Sequence, residues 1–521
     1  MFRRILIANR GEIALRIMRT AREMGIECVA VYSEFDSGAL HTRLADAAFS
    51  LGGDLPSESY LDIDKILAVA KKSGAEAVHP GYGFLAENAR FAEAVNGAGL
   101  AWIGPPPSAI EEMGDKIVSR RCMQEAGVSL VPGLVDPVAD AEAAIEAAKG
   151  IGYPVAIKAA AGGGGKGIRI VHDPSEMESG FRTAAGEAES AFGDGRLYLE
   201  RYVLEPRHVE VQVLFDAKGN GVHLGERDCT VQRRHQKLIE ESPSPVVDEE
   251  LRKRMGEVAL RAARSVGYVG AGTVEFLYTE AGGSPEFFFL EMNTRLQVEH
   301  PVTEMTTGID LVREQLRVAA GEELGYDQSA ITFRGHSIEV RINAEDPLNG
   351  FVPSTGTISN LRLPGGPWVR MDSSLFRGME VGLNYDPMLA KIIVWASDRD
   401  TAIARMRRAL SEMNIGGVRT SAPAALAVLE DERFQRGRFD THLLESVALL
   451  GDNIVGVRAA AIAATVKRFK AARRRALAGD GGARAGWLER ARGLSGQWSG
   501  REPGVPYLQG GRFEAREEDL W

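Results

Sequence analysis

Four short apolar runs in the first hundred residues, ILIA at 5–8, CVAVYS at 28–33, AVHPG at 77–81 and LAWIG at 100–104, are separated by helix-patterned stretches. Strands that alternate with helices in this way build βαβ units, and hence a parallel sheet flanked by helices. At 521 residues the chain outgrows any single core of this kind, which predicts roughly two to four domains. Residues 130–200 carry strands of their own, VAIKAA and IRIV, joined by a glycine run at 162–167. A loop so poor in side chains suits a small hinged lid. From about 205 the pattern becomes strand-rich, with HVEVQVLFD, GAGTVEFLY and EFFFLEMN, and it stays mixed α/β to about 447. Beyond 448, Ala, Arg and Gly dominate, and Ile462, Val466 and Phe469 at helical spacing predict a basic amphipathic helix. The last forty residues hold Trp487, Trp498 and Trp521.

A net charge of −10 argues against a chain-wide nucleic-acid footprint, so no nucleic-acid partner is expected and any anionic ligand must be captured locally. Cys28, Cys122 and Cys229 are far apart with no CxxC pair, which excludes a disulfide framework and a thiolate zinc site. No stretch approaches the roughly 18 apolar residues of a membrane span. The sequence begins with a strand-like run and no leader pattern, so no membrane partner is expected and a cytoplasmic location is.

Backbone N–H groups in the run Gly162–Gly167 could close around phosphate oxygens, with Lys166 adding a point charge. An isolated run of this kind also suits a linker; Lys158, at the end of an apolar strand four residues earlier, favours the phosphate reading. It is not a Walker A loop, because position 160 is Ala and Gly follows Lys166. Two further strands, 271–278 and 286–293, are joined by the turn AGGSP. Period-two alternation puts Glu275 on the face of Thr273 and Leu277, and Glu291 on the face of Asn293, Phe287 and Phe289. Paired antiparallel, the strands bring two carboxylates and an amide to one spot, a hard-oxygen set suited to Mg²⁺ beside substrate phosphates.

The stretch 291–301, EMNTRLQVEHP, then supplies Arg295, which could grip a small oxyanion, and Glu299, four residues on, which could take its proton. The cationic run 232–237 reads first as a solvated face and is locally neutralised by Glu226 and Asp228. The loop Gly81–Ala86 matches a loose dinucleotide pattern, but 101–110 lacks the acidic residue such a site needs, so a nicotinamide cofactor is discounted.

At nine places, RILIANRGEIALRI, HPGYGFLAENA, MGDK, YPVAIKAAAGGGGKG, PRHVEVQV, ERDCTVQRRHQK, GAGTVEFL, EMNTRLQVEHPVTEM and RINAEDP, residues 1–447 resemble, in order and spacing, the biotin carboxylase component of biotin-dependent carboxylases. The resemblance implies an α/β (α+β overall) ATP-grasp fold. A Rossmann-like domain would span 1–115, a mobile lid with the glycine loop 116–204, and the ATP-grasp core with a C-terminal mixed α/β domain 205–447. The tail 448–521 matches nothing in that core and is a candidate docking element.

Carried over by residue, the resemblance implies ATP contacts at Lys116, Lys158, Gly164, Gly165, Glu200, Arg201, Tyr202, Val203, His208, Gln232 and His235. Glu275, Glu291 and Asn293 would hold Mg²⁺ or Mn²⁺ against the nucleotide. Lys237, Arg295, Gln297 and Val298 would position bicarbonate, with Glu299 as its base. Arg341 would contact the biotin ureido oxygen, with Tyr82 nearby; Glu299, Arg295, Lys237 and Arg341 form the implied catalytic set. Because the sequence contains no Met-Lys-Met biotin-attachment motif, the expected separate partners are a biotin carboxyl carrier protein and a carboxyltransferase subunit, with a homodimer typical of the family. A carbamoyl-phosphate-forming ligase would share the ATP half but not the cluster at Arg295, Glu299 and Arg341. A catalytically silent scaffold would not require every one of these positions to be filled. The final acceptor, acyl-CoA or pyruvate, stays open.

Overall fold

The computed structural model describes residues 1–160, 168–280, 283–447, 449 and 465–471. Met1–Leu449 form one compact unit and Leu450–Trp521 another. In the first, the strand Arg4–Ile7 lies at the centre of a five-stranded sheet ordered Ala47–Ser50, Glu27–Tyr32, Arg4–Ile7, Ala77–His79, Ala101–Trp102. All its pairs are parallel, with Ile5 opposite both Cys28 and Ala77. A parallel sheet is covered on both faces, which is why these strands read as unbroken apolar runs. Ile5 and Ile7 pack with Ile13 and Ile17 of the helix Gly11–Glu23, whereas Leu6 faces Ile66 and Phe91 on the other side.

A small three-stranded antiparallel sheet, ordered Ile168–Val171, Val155–Ala159, Leu197–Arg201, carries the helices Ala141–Ile151 and Met177–Phe192. Val155, Ile157 and Ala159 pack against Ala144, Ala148, Ala184 and Ala188 of those helices. Small helical side chains let helix and sheet approach closely, and period two turns Lys158 to the opposite face. The glycine run at 162–167, with Gly164 and Gly165, lies outside the described residues.

The largest sheet has eight strands, ordered Glu286–Asn293, Gly270–Thr279, Arg207–Phe215, Gly221–Arg233, Gln236–Ser242, His336–Asn343, Met388–Ala396, Val369–Ser373. Every neighbouring pair is antiparallel. Val209, Val211 and Val213 pack on the helix Glu249–Ser265. Ile338, Val340, Ile392 and Val394 pack on the helices Arg399–Glu412 and Ala422–Glu430. Alternation then delivers Glu210, Gln212, Glu339, Arg341 and Lys391 to the other face.

Two local departures shape that face. A β-bulge between Glu275 and Phe276 sets Glu275 opposite Glu291 but Phe276 opposite Phe289. Strict alternation is broken at Leu290, so Phe289 joins Met292 in the core, and Phe288 replaces it beside Leu277. The expected shared face of Glu291, Phe287 and Phe289 is corrected accordingly, because an extra residue in one strand reverses the facing of the side chains beyond it. Second, Gly221–Arg233 and Gln236–Ser242 are joined by the two-residue turn Arg234-His235, with φ of 48° and 68°. Two positive φ values are the type I′ hairpin geometry usually given to Asn-Gly; a non-glycine residue held there costs about 1–3 kcal/mol. No helix among the described residues is long and apolar enough to cross a membrane. The expected basic helix of the tail is described only at 465–471, which is helical; Ile462 and the three tail tryptophans lie outside the described residues.

Candidate active site

The polar face of the large sheet converges on one ammonium group. Lys237, two residues past the strained turn, places Nζ 2.6 Å from Glu210, 3.0 Å from Glu275 and 2.6 Å from Glu299. Glu299 ends the loop after the strand Glu286–Asn293 and immediately precedes the helix His300–Thr307. Pro301 sits in the first turn of that helix and Gly308, in the left-handed region, stops it. The second Glu299 oxygen accepts from Arg341 Nη2 at 3.0 Å, while Arg341 Nε donates to Glu240 at 2.5 Å. Burial works against ionised Glu299, but Lys237 and Arg341 outweigh it and hold the carboxyl below its usual range. A buried carboxylate that stays ionised is equipped to take a proton.

Beside it, Glu275 accepts from Asn293 Nδ2 at 2.9 Å and Gln297 Nε2 at 3.0 Å. Arg295 donates to Asn293 Oδ1 at 2.9 Å and to Glu87 at 2.7 Å, and its Nη1 lies 3.5 Å from Gln297. Val298 is tied through its carbonyl to Lys391 Nζ at 2.6 Å. Glu291, opposite Glu275, has no hydrogen-bond or ion-pair partner among the described residues; burial, and then the Glu275 charge, raise its pKa. Two facing carboxylates with an adjacent amide, one of them unsatisfied, fit a hard divalent cation.

On the far side a group of cations gathers. Lys158 donates to Glu200, which also accepts from Arg120 at 2.9 Å. His208 Nε2 stands 3.0 Å from Glu275 and 3.6 Å from Glu210; burial opposes its charge, but the two carboxylates together outweigh it and hold it at about 9. Burial lowers the pKa of His235, followed by the repulsion of Lys158, His208 and Lys116; Lys116 is lowered by burial and by Lys158. Cations that disfavour one another in a confined space fit a polyphosphate.

The remaining expected residues are spread further. Gln232 is buried, and its amide nitrogen lies 3.5 Å from the Cys229 carbonyl of its own strand. Arg201 lies over the Phe288 ring and 3.8 Å from Glu286, Tyr202 sits near Asp440 and Glu445, and Val203 packs with Val131. Tyr82 donates its hydroxyl to Glu12 and stands near Arg341.

Sequence reasoning missed six charged groups that hold this arrangement. They are Glu210, Arg227, Glu240, Lys391, Glu12 and Glu87. Fully buried Arg227 donates to Glu210 at 2.6 Å, Gln212 at 2.7 Å, and Thr273 and Thr303 at 3.0 Å. The usable signal was a charge at an alternate position of an apolar strand, as in HVEVQV for Glu210 and MLAKIIV for Lys391.

Three family models cover this unit: "Biotin carboxylase, N-terminal domain" over 1–110, "Carbamoyl-phosphate synthase L chain, ATP binding domain" over 115–326, and "Biotin carboxylase C-terminal domain" over 339–446. The chain is 50% identical over 446 residues to the biotin carboxylase of a Nostoc species, covering 86% of this chain and 99% of that one. It is 52% identical over 451 residues to biotin carboxylase 1 of Bacillus subtilis, covering 87% of this chain and all of the relative. The crystal structure of the biotin carboxylase domain dimer of Hydrogenobacter thermophilus 2-oxoglutarate carboxylase, in complex with MgADP, ADP and bicarbonate, superposes with a TM-score of 0.82 at 48% identity, covering 85% of this chain and 97% of that one.

A parallel-sheet unit, a small antiparallel unit bearing Lys158, and a large sheet with paired carboxylates facing clustered cations define an ATP-dependent ligase of the ATP-grasp class. Within that class, the chain belongs to the biotin carboxylase family.

Proposed function

We infer that this protein uses ATP and bicarbonate to carboxylate biotin presented on a separate biotin carboxyl carrier protein, the first half-reaction of an acyl-CoA or pyruvate carboxylase. The observation that carries this reading is the Glu299 carboxylate held ionised between Lys237 and Arg341, beside the Glu275–Glu291 pair. Bicarbonate is a poor nucleophile until it loses its proton; Glu299 would take it while Lys237 and Arg295 offset the charge gathered near a triphosphate. Gln297 and Val298 would complete the bicarbonate contacts.

A bicarbonate oxygen then bonds to the γ-phosphorus as the β–γ bridge breaks, giving carboxyphosphate and ADP. Lys116, Lys158, His208 and His235 would neutralise the phosphates, with the glycine loop at Gly164 and Gly165, Glu200, Gln232 and the strand end at Arg201, Tyr202 and Val203 completing the ATP contacts. Glu275, Glu291 and Asn293 would hold Mg²⁺ or Mn²⁺, which supplies positive charge to the nucleotide phosphates when bound. Carboxyphosphate releases CO₂, and the phosphate left behind removes the proton from the biotin ureido nitrogen, which bonds to the CO₂ carbon. Arg341 would stabilise the ureido oxygen as negative charge develops there, with Tyr82 alongside.

We assign these roles to three parts, 1–115, 116–204 as the lid and 205–447, working as a cytoplasmic homodimer whose next partner is a carboxyltransferase subunit. The test is ATP hydrolysis measured with and without bicarbonate and with and without biotin. Hydrolysis that ignores both additions would overturn the reading.

A further inference from the structure

Lys391 sits in the strand Met388–Ala396, in register with Arg341, and is 0% exposed among Leu389, Ala390, Ile392 and Ile393. An ammonium in such surroundings carries a desolvation cost that an aliphatic side chain packed there would not. Its contacts show what is gained instead. Nζ donates to the Val298 carbonyl at 2.6 Å, lies 3.3 Å from Glu12 Oε1 and stands 5.9 Å from the centre of the Tyr82 ring. The same Glu12 oxygen accepts from the Tyr82 hydroxyl. Asp372 adds negative charge around the ammonium and Arg370 opposes it, while burial pushes the neighbouring Glu339 carboxyl well above its usual range; burial disfavours the charged form of Lys391, but the acidic groups around it, Glu12 foremost, outweigh it, so the group stays protonated.

This one cation therefore ties together the three segments matched separately by family models: Glu12 and Tyr82 from 1–110, Val298 from 115–326, and itself from 339–446. The carbonyl it grips lies between Gln297 and Glu299, so its hydrogen bond sets the peptide plane from which Glu299 departs. We propose that Lys391, backed by Glu12, is a positioning residue that fixes the Gln297–Glu299 backbone for bicarbonate and links it to the Tyr82 side of the site where biotin would lie. The inference rests on the reaction assigned above.

The experiment uses the full chain and compares wild type with Lys391→Met and Glu12→Gln. Both bicarbonate KM and kcat are measured, ATP affinity is measured by calorimetry, and folding is checked by thermal melting. A shift of the loop by a fraction of an ångström should raise bicarbonate KM about tenfold or more in Lys391→Met, with kcat changed less and ATP affinity unchanged. Glu12→Gln keeps the shape of the site and should raise bicarbonate KM in the same direction by a smaller factor, which decides the matter even where Lys391→Met does not fold. Unchanged bicarbonate KM in the folded variants, or equal losses of bicarbonate and ATP binding, would overturn the positioning role. Wild type without bicarbonate-dependent turnover would instead sink the assigned reaction, and this inference with it.

Discussion

The central strands of the five-stranded and eight-stranded sheets are buried to the same degree and filled with opposite chemistry. Ile5, Leu6, Ile7, Val31 and Val78 of the parallel sheet are 0% exposed, and so are Glu210, Arg227, Glu240 and Lys391 of the antiparallel one. In the first, each side chain removed from water adds about 1.5–3 kcal/mol by itself. In the second, each charge loses several kcal/mol of hydration and recovers it only through its partners. Arg227 serves Glu210, Glu210 serves Lys237, Lys237 serves Glu299, and Glu299 serves Arg341. Stability in the parallel sheet is a sum of local terms. In the site it belongs to a chain of charges, none of which can leave alone.

The sharpest way to break this contrast is to remove one link. Arg227→Met should lower stability by about 3–5 kcal/mol, read from denaturant midpoints, because Glu210 is left buried with less compensation. Ile7→Ala should cost a comparable 2–5 kcal/mol through cavity formation, yet leave kcat and KM of the folded enzyme unchanged. If Arg227→Met is as stable as wild type, the charges are not coupled as described.

Next in size come the last two links of the chain, Glu299 and Arg341, which face the chemistry. Glu299→Gln keeps the shape and hydrogen-bonding reach but cannot accept the proton, and should cut biotin-dependent turnover at least ~10²-fold. Arg341→Ala should cut it by a similar factor of ~10² by removing the partner of the ureido oxygen. It should also move the acid limb of the pH–rate profile upward, because Glu299 loses a cation that helps keep it ionised. Wild-type rates in either variant, or an unmoved acid limb in Arg341→Ala, would show that the corresponding role is misassigned.

The two sheets also differ in how much of them could be read from sequence. The parallel strands announce themselves, since burial on both faces leaves continuous apolar runs such as ILIA at 5–8. In the large sheet, Glu275 and Glu291 were legible because both interrupt apolar strands joined by a short turn, so their meeting follows from a local hairpin. Glu210 and Lys391 carry the same signal in HVEVQV and MLAKIIV, but Lys391 finds Glu12 and Val298 across 379 and 93 residues. Nothing local encodes a strand order that skips from Gly270–Thr279 back to Arg207–Phe215. The bulge beside Glu275 and the Arg234-His235 turn were equally hidden, the first because period two assumes no extra residue, the second because neither residue is a turn former of the usual kind.

The smallest expected effect tests whether charge in the site is balanced or merely crowded. Glu240 accepts from Arg341 at 2.5 Å and lies opposite Glu339 in the sheet, whose two carboxyl oxygens have no hydrogen-bond partner among the described residues. Burial lifts Glu240 to about 7, with Glu299 adding to the rise and Arg341 opposing it. A carboxyl whose proton is held more tightly in the folded state than at the ordinary value of 4.5 supports the fold below that pH, and the support is lost as pH rises through about 7. Glu299, held below its ordinary value, acts in the opposite sense: its support is present above 4.5 and is lost as pH falls through its lower folded value. Melting temperatures of wild type and Glu240→Gln compared at about pH 5 and about pH 8 separate the two, because the amide removes only the first contribution. The variant should lose less stability than wild type between those values. Parallel changes would mean that Glu240 keeps one charge throughout, and that Arg341 alone is enough to balance both of the carboxylates it touches.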